Sequence, residues 1–303
     1  MRSVILALGA LACFFTPHAV AQVPQGAVDD VRSRVVRRIA DVPGATVGVA
    51  YRDIASGRSF DIDPDTLFHA ASTMKVPVLI EYFRAIDAGR LGRNQDVLLV
   101  NSFPSIADGS PFSVGAGDDS DSSLYAFVGR RIAVRALVDR MITRSSNLAT
   151  NAVIALVGAA RADSSAHALG AHTIRVLRGV EDGKAFQRGL NNVTSAPDLA
   201  ALLLAIEQRR AASPASCDEM LDILAQQEFN DEIPAGLPRG TRVAHKTGWI
   251  TGVLHDAALV YPPGGRPYVL VVLTKGIPDE KVARQLIVDI SRLVWSETSG
   301  KAN

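Results

Sequence analysis

The feature that most restricts the fold of this 303-residue chain is where its strand-like runs fall. Ala45–Tyr51 is small and β-branched, and Arg58–Ile62 can return as its hairpin partner across Asp53-Ile54-Ala55-Ser56-Gly57. The next runs of that kind come only near the far end, at Thr241–Thr247, Val253–Tyr261 and Tyr268–Thr274. Pro262-Pro263-Gly264-Gly265-Arg266-Pro267 makes the turn between the last two. In between, apolar residues repeat at helical spacing. Ser72 opens a predicted helix to about Ala88 with Gly89 as its stop, and Pro77 falls in the early turns, where a missing N–H costs least. Val134, Leu137, Val138, Met141 and Ile142 mark a second helix, Leu148–Val157 a third, and about Asp279–Trp295 the last. Strands at both termini with helices between them imply an antiparallel sheet assembled from the two chain ends. A helical subdomain inserted between them completes an α/β/α layering. The expected division is a sheet part over about residues 22–70 and 240–303, and a helical part over about 71–239.

Three short motifs stand in order along that framework: Ser72-Thr73-Met74-Lys75, Ser145-Ser146-Asn147 and Lys246-Thr247-Gly248. On a helix, Ser72 and Lys75 share one face, with Cβ atoms about 5–6 Å apart. A serine hydroxyl attacks well only when a neighbouring base takes its proton. Lysine can be that base when burial or a second cation lowers its pKa. The second motif lies in a short loop between two predicted helices, where polar side chains can point into a cleft. Singly, each motif is commonplace: a solvated lysine, a polar turn, a strand end. Together they hold the parts of acyl transfer, namely nucleophile, base, proton relay, amide donor, and a cation with a hydroxyl for a carboxylate.

The ordered trio resembles the penicillin-recognising serine enzymes, whose motifs are S-x-x-K, S-D-N and K-T-G. Within them the chain looks most like a class A serine β-lactamase, from about Thr46 to Val294. Asn151 after the second motif strengthens the likeness, as does Val176-Leu177-Arg178-Gly179-Val180-Glu181-Asp182, which is similar to the loop carrying a catalytic glutamate. The resemblance implies a β-lactamase/DD-peptidase-like fold and hydrolysis of the β-lactam amide through a serine acyl-enzyme. It implies Ser72 as nucleophile, Lys75 as acceptor or relay of its proton, Ser145 as donor to the departing nitrogen, and Glu181 as base for the deacylating water. Lys246, Thr247 and Gly248 line the place of the substrate carboxylate, and Asn147 meets the substrate's side-chain amide. The backbone N–H groups of Ser72 and Trp249 form the implied oxyanion hole. No metal or cofactor is implied.

The chain departs from that pattern at several points. Ser146 stands where the family usually has aspartate, so a buried carboxylate bracing the loop is expected to be missing. Ala185 replaces an asparagine that usually holds the hydrolytic water; Asn191 and Asn192 are the nearby amides that can substitute. No proline follows Glu181, and no arginine occurs between Thr247 and Tyr261, leaving His255 as either a second carboxylate-binding cation or a core histidine. The polar stretch Asn101–Ser123 reads as a long loop, and its Asp118-Asp119-Ser120-Asp121 as solvated, since it lacks the glycine and distal glutamate of an EF-hand.

Met1–Ala21 has the charged start, apolar core and small-residue site of a cleaved signal peptide, which points to a secreted or periplasmic protein. Cys13 falls within it, so Cys217 is expected to be an unpaired, helix-buried thiol. With 32 Lys+Arg against 31 Asp+Glu there is no basic excess for nucleic acid. After the signal, no run approaches the roughly 18 apolar residues of a membrane span. A monomer acting on a small β-lactam is expected. Two other readings stay open on the same residues: a D-alanyl-D-alanine carboxypeptidase or esterase, which Glu181 argues against, and a non-catalytic penicillin-binding sensor module.

Overall fold

The computed structural model describes residues 25–298; the expected signal peptide, with Cys13, lies outside the described residues. Five strands make one antiparallel sheet: β1 (Thr46–Asp53), β2 (Ser59–Ile62), β3 (Arg242–Ile250), β4 (Val253–Tyr261) and β5 (Tyr268–Lys275), in spatial order β2-β1-β5-β4-β3. The two chain ends join where β1 pairs with β5, from Thr46 opposite Lys275 to Asp53 opposite Tyr268. The helices that frame it are α1 (Gln25–Ala40), α2 (Lys75–Asp87), α3 (Val134–Thr143), α4 (Asn147–Val157), α5 (Ala196–Glu207) and α6 (Glu280–Thr298).

Alternation along β5 explains the layering. Tyr268, Leu270 and Val272 pack into one apolar cluster, while Val269, Val271 and Leu273 pack into the other. A strand with both faces buried must be covered twice. Val28, Val31 and Val35 of α1, with Leu286, Ile287, Ile290 and Val294 of α6, cover one face. Leu199, Leu202, Leu203 and Ile206 of α5, with the helix Pro214–Leu224, cover the other, and α2 and α4 continue the same apolar cluster beyond them. Each such side chain taken out of water contributes about 1.5–3 kcal/mol. The fold is the antiparallel α/β/α sandwich anticipated from the strand positions.

Two elements differ from expectation. Helix α1 precedes the first strand, where no element is predicted; its valines at helical spacing bury against α6. Strand β3 runs past Thr247 to Ile250, because Thr251-Gly252 closes a two-residue hairpin with Ile250 opposite Val253 and Gly252 at φ +74°. Gly248 and Trp249 are therefore strand residues on the sheet's edge. Cys217 is buried in the helix Pro214–Leu224 as an unpaired thiol. No helix among the described residues is long and apolar enough to cross a membrane.

Candidate active site

Ser72 sits in a 3₁₀ turn, Ala71–Met74, that feeds directly into α2. Edge strand β3 packs flush against this turn. A Cβ on Gly248 would lie 3.1 Å from Ser72 N, 3.1 Å from Thr73 Cγ2 and 3.2 Å from Ala71 Cβ, so glycine lets the strand sit this close without pushing the serine turn aside by a few tenths of an ångström. The conformation is strained on the other side too, with Ala71 at φ +44°.

The second motif is delivered by the break between α3 and α4. Ser146 caps α4, its Oγ accepting from Ala149 N at 3.2 Å. Ser145, at φ +55°, projects its hydroxyl between two lysines. Lys75 Nζ donates to Ser145 Oγ at 3.1 Å, to Ser145 O at 2.6 Å and to Asn147 Oδ1 at 3.0 Å. Lys246 Nζ donates to the same Oγ at 3.0 Å and to Thr247 O at 2.9 Å. Both lysines are 0% exposed. Burial, then the nearby Lys246 charge, holds the Lys75 ammonium well below the usual lysine range, against the pull of Asp119 and Glu181. Burial pushes Lys246 down to about 7, with Asp256 and Glu232 opposing. Two cations crowded into a dry site favour loss of one proton, which is what a lysine base requires. Lys75 makes no hydrogen bond to Ser72 among the described residues; the spacing that puts them on one face leaves its amine turned to Ser145 and Asn147.

The missing brace is not missing. Asp119, 8% exposed, accepts through Oδ2 from Ser146 Oγ at 3.1 Å and from Leu148 N at 2.8 Å. The run expected to be solvated thus carries a buried carboxylate into the second motif from the loop before it. Asp121 is buried as well, paired with Arg140 at the end of α3. The reason is charge matching: the first turn of α4 offers unpaired N–H groups, and Arg140 a guanidinium, to whatever anion lies beside them.

Glu181 stands on a loop clamped from several sides. Asn151 donates to Val180 O at 2.9 Å and accepts from Val180 N at 2.7 Å. Asp182 accepts from Ser105 Oγ at 2.8 Å and Ile106 N at 3.0 Å. Glu181 itself is at φ +61°, and its Oε1 accepts from Asn147 Nδ2 at 3.2 Å. Asn147 therefore bridges Lys75 and Glu181. Desolvation, then the Asp118 charge, raises the Glu181 carboxyl above its ordinary value, although Lys75 and Arg178 pull it down. The residue as a whole is exposed, and its position on the cleft wall keeps it open to water.

Of the amides proposed to replace the one absent at Ala185, that of Asn192 is fully used and that of Asn191 is used through its oxygen. Asn192 accepts from Leu177 N at 2.8 Å and Arg178 N at 3.1 Å and donates to Arg178 O at 3.0 Å. Asn191 accepts from Arg178 Nη2 at 3.2 Å. Both shape the loop. Gly179 has to be glycine here, since a Cβ would come within 2.3 Å of Asn151 Oδ1. Gly179→Ala is expected to cost about 1–3 kcal/mol of stability, read as a lowered midpoint in thermal denaturation; an unchanged midpoint would show that the clamp is not tight.

Ser72, Ser145, Asn147, Glu181, Thr247 and Trp249 line one cleft, with Lys75 and Lys246 buried behind its wall; its two lobes share Ser72, Asn147, Glu181, Trp249 and Ile250. The smaller, about 370 Å³, is bounded by His69, Arg178 and Phe186; the larger, about 670 Å³, by Ser145, Thr247, Asp118 and Arg284. Trp249, 57% exposed, forms the rim between them. His255 is not a cleft cation. It is a fully buried residue of β4 itself, its Nε2 is 2.9 Å from His69 O, and burial pushes its pKa down to about 4. The guanidinium in the larger lobe, beside Thr247, comes instead from α6: Arg284, bonded to Glu232 at 3.1 Å and Glu280 at 2.6 Å. Neither it nor Asp119 carries a sequence signal beyond being a charged residue far from the motifs.

Comparison with known families decides the lineage: the model described as Beta-lactamase enzyme family matches residues 30–298. The chain belongs to the β-lactamase enzyme family. It is similar to the β-lactamase of Streptomyces albus G, 27% identical over 281 residues that cover 91% of this chain and 86% of that protein. Similarity to β-lactamase AST-1 of Nocardia asteroides is 28% over 313 residues, covering 97% and 94%. Among solved structures, PBP-A matches with a TM-score of 0.76 and 30% identity over 88% of this chain and 95% of its own. A β-lactamase from Sphaerobacter thermophilus matches with a TM-score of 0.76 and 29% identity over 89% and 97%. A variant of PBP-A, 31% identical to this chain, was solved as an acyl-enzyme with penicillin G. Membership of the β-lactamase family accounts for the shared fold.

Proposed function

We propose that this chain is a class A-like serine β-lactamase that opens the β-lactam amide through an acyl-enzyme on Ser72. The observation that carries the reading is the Ser145 hydroxyl held between two fully buried lysines, in the same cleft that Ser72 lines. Ser72 Oγ attacks the lactam carbonyl, and its proton passes to neutral Lys75; hydrogen bonds of this kind commonly tighten only when substrate arrives. Ser145, bonded to Lys75, returns a proton to the departing lactam nitrogen. Ser72 N and Trp249 N stabilise the oxyanion, an arrangement supported by the close seat of β3 on the serine turn. Lys246 and Thr247 take the substrate carboxylate, with Arg284 nearby as the second cation, and Asn147 takes the side-chain amide. Glu181 activates the water that releases product. Export through a signal at Met1–Ala21, action as a periplasmic or secreted monomer, and the division into a sheet part and a helical part belong to the same reading.

Lys246 makes the reading testable by pH. Its ammonium is lost as pH rises through about 7, so KM for a penicillin with a free carboxylate is expected to climb above that point. The corresponding methyl ester should show no such climb. A flat KM for the free acid would remove Lys246 from carboxylate binding.

A second reading, a carboxypeptidase or esterase on the same scaffold, draws on one observation: Ala185 is apolar, the Asn192 amide is spent on the loop around Arg178, and the Asn191 oxygen is bonded to Arg178. Hydrolytic water then has fewer fixed partners beside Glu181. Turnover of penicillin alongside a D-alanyl-D-alanine peptide separates the two, since slow release of penicillin with fast peptide cleavage would favour the second.

A further inference from the structure

We infer that Asp119 is a positioning residue of this site, holding Ser145 and Asn147 in register from a loop 27 residues before Ser146. The inference rests on the acyl-enzyme reading but concerns residues that reading does not use. Every residue from Asp118 to Asp121 grips the Ser145 loop. Asp118 O accepts from Asn147 Nδ2 at 3.2 Å, and Ser120 Oγ donates to Arg144 O at 2.6 Å. Asp121 pairs with Arg140, whose carbonyl accepts from Ser146 N at 3.1 Å. Asp119 is the centre of this grip. Oδ2 accepts from Ser146 Oγ, Leu148 N and, at 3.2 Å, Tyr125 Oη, while Oδ1 accepts from Asp121 N at 3.0 Å.

Two physical consequences follow. The first is geometric. Ser145 is held at φ +55°, a conformation that persists only where neighbours over-determine it. Arg144, Ser146 and Asn147 are each tied to the Asp118–Asp121 run, so the strained residue is fixed without a bond to its own hydroxyl, which stays free for the two lysines. A carboxylate suits this place better than an amide. All groups around it are donors, and the carboxamide of Asp119→Asn would turn an NH₂ toward at least one of them, leaving a buried mismatch. The second is electrostatic. The charged groups that bear on Lys75 are Lys246 from β3, Glu181 from its loop and Asp119; the two carboxylates favour the ammonium, and Lys246 opposes it. Asp119 also raises Glu181. Removing the Asp119 charge lowers both groups, so the acid limb of acylation moves to lower pH whichever of them accepts the serine proton.

The test compares wild type, Asp119→Asn, Asp119→Ala, and a charge-relocated double variant, Asp119→Ala with Ser146→Asp. Acylation rates are followed by intact-mass spectrometry across pH, with thermal midpoints measured in parallel. Asp119→Asn should lose about 10²-fold in acylation rate, the scale set by small misplacements in an active site, with its acid limb displaced to lower pH. The relocated variant should recover most of what Asp119→Ala loses. An acylation rate and pH limb equal to wild type in Asp119→Asn would overturn the inference. So would a loss with an unmoved limb and no recovery on relocation, which marks a merely structural residue. A fluorophosphonate, which needs an activated serine but no β-lactam, is run beside penicillin. Wild type labelled by the fluorophosphonate but not by penicillin would count against the β-lactam reading, and the Asp119 comparison is then read from fluorophosphonate rates.

Discussion

Replacing Ser72 by alanine is expected to abolish both β-lactam turnover and covalent labelling, with a loss approaching the 10⁶-fold scale seen when a serine nucleophile is removed from a hydrolase (about 10⁶ in kcat). The size of the effect follows from the site's construction. Ser72 sits in the turn against which edge strand β3 packs, and Gly248 admits that contact by having no side chain to collide with Ser72 N. The Ser145 hydroxyl is held by both lysines and is placed to relay a proton rather than to attack. Fold and stability should be unaffected, since the serine side chain is only partly buried. Intact-mass analysis after penicillin exposure reads the outcome; an adduct persisting in Ser72→Ala would move the nucleophile elsewhere.

Glu181→Gln is expected to separate the two halves of the reaction. The variant keeps shape and the contact with Asn147 but loses the base, a contribution of about 10²–10⁴-fold for general-base catalysis. Acylation should proceed while release slows by that factor, so a penicilloyl adduct accumulates on Ser72. The raised carboxyl pKa of Glu181, from desolvation and the Asp118 charge, brings it closer to working pH and improves it as a base. Turnover near wild type without adduct in Glu181→Gln would leave the carboxylate as a brace for its loop and would strengthen the carboxypeptidase or esterase reading.

The sheet and the motif positions are legible in the amino-acid sequence for a clear reason. Strands β4 and β5 are buried on both faces, so they appear as near-continuous apolar runs between turn residues. The end of β3 is less legible, because the hairpin at Thr251-Gly252 extends pairing through residues that read as a loop. Helix α1 escapes a reading by pattern, its three core valines being spread through a charged segment. Within the site, Ser72, Lys75, Ser145, Asn147, Lys246 and Thr247 announce themselves by fixed local spacing. Asp119 does not. Its bonds to Ser146 and Leu148 join loop to helix across the fold, and nothing periodic in the acidic run marks which carboxylate turns inward. Likewise only packing decides that His255 is a neutral core residue and that Arg284, from the last helix, reaches the cleft.

Ser72 is expected to carry a penicilloyl ester that this protein itself hydrolyses. The most direct measurement mixes the purified protein with excess penicillin, quenches the reaction at successive times for intact-mass analysis and peptide mapping, and follows product in the same samples. The predicted result is an early adduct of the substrate's mass on the peptide containing Ser72, which disappears as substrate is exhausted while product far exceeds the protein present. An adduct on any other peptide, or one on Ser72 that never clears, or product without an adduct in either wild type or Glu181→Gln, would contradict it.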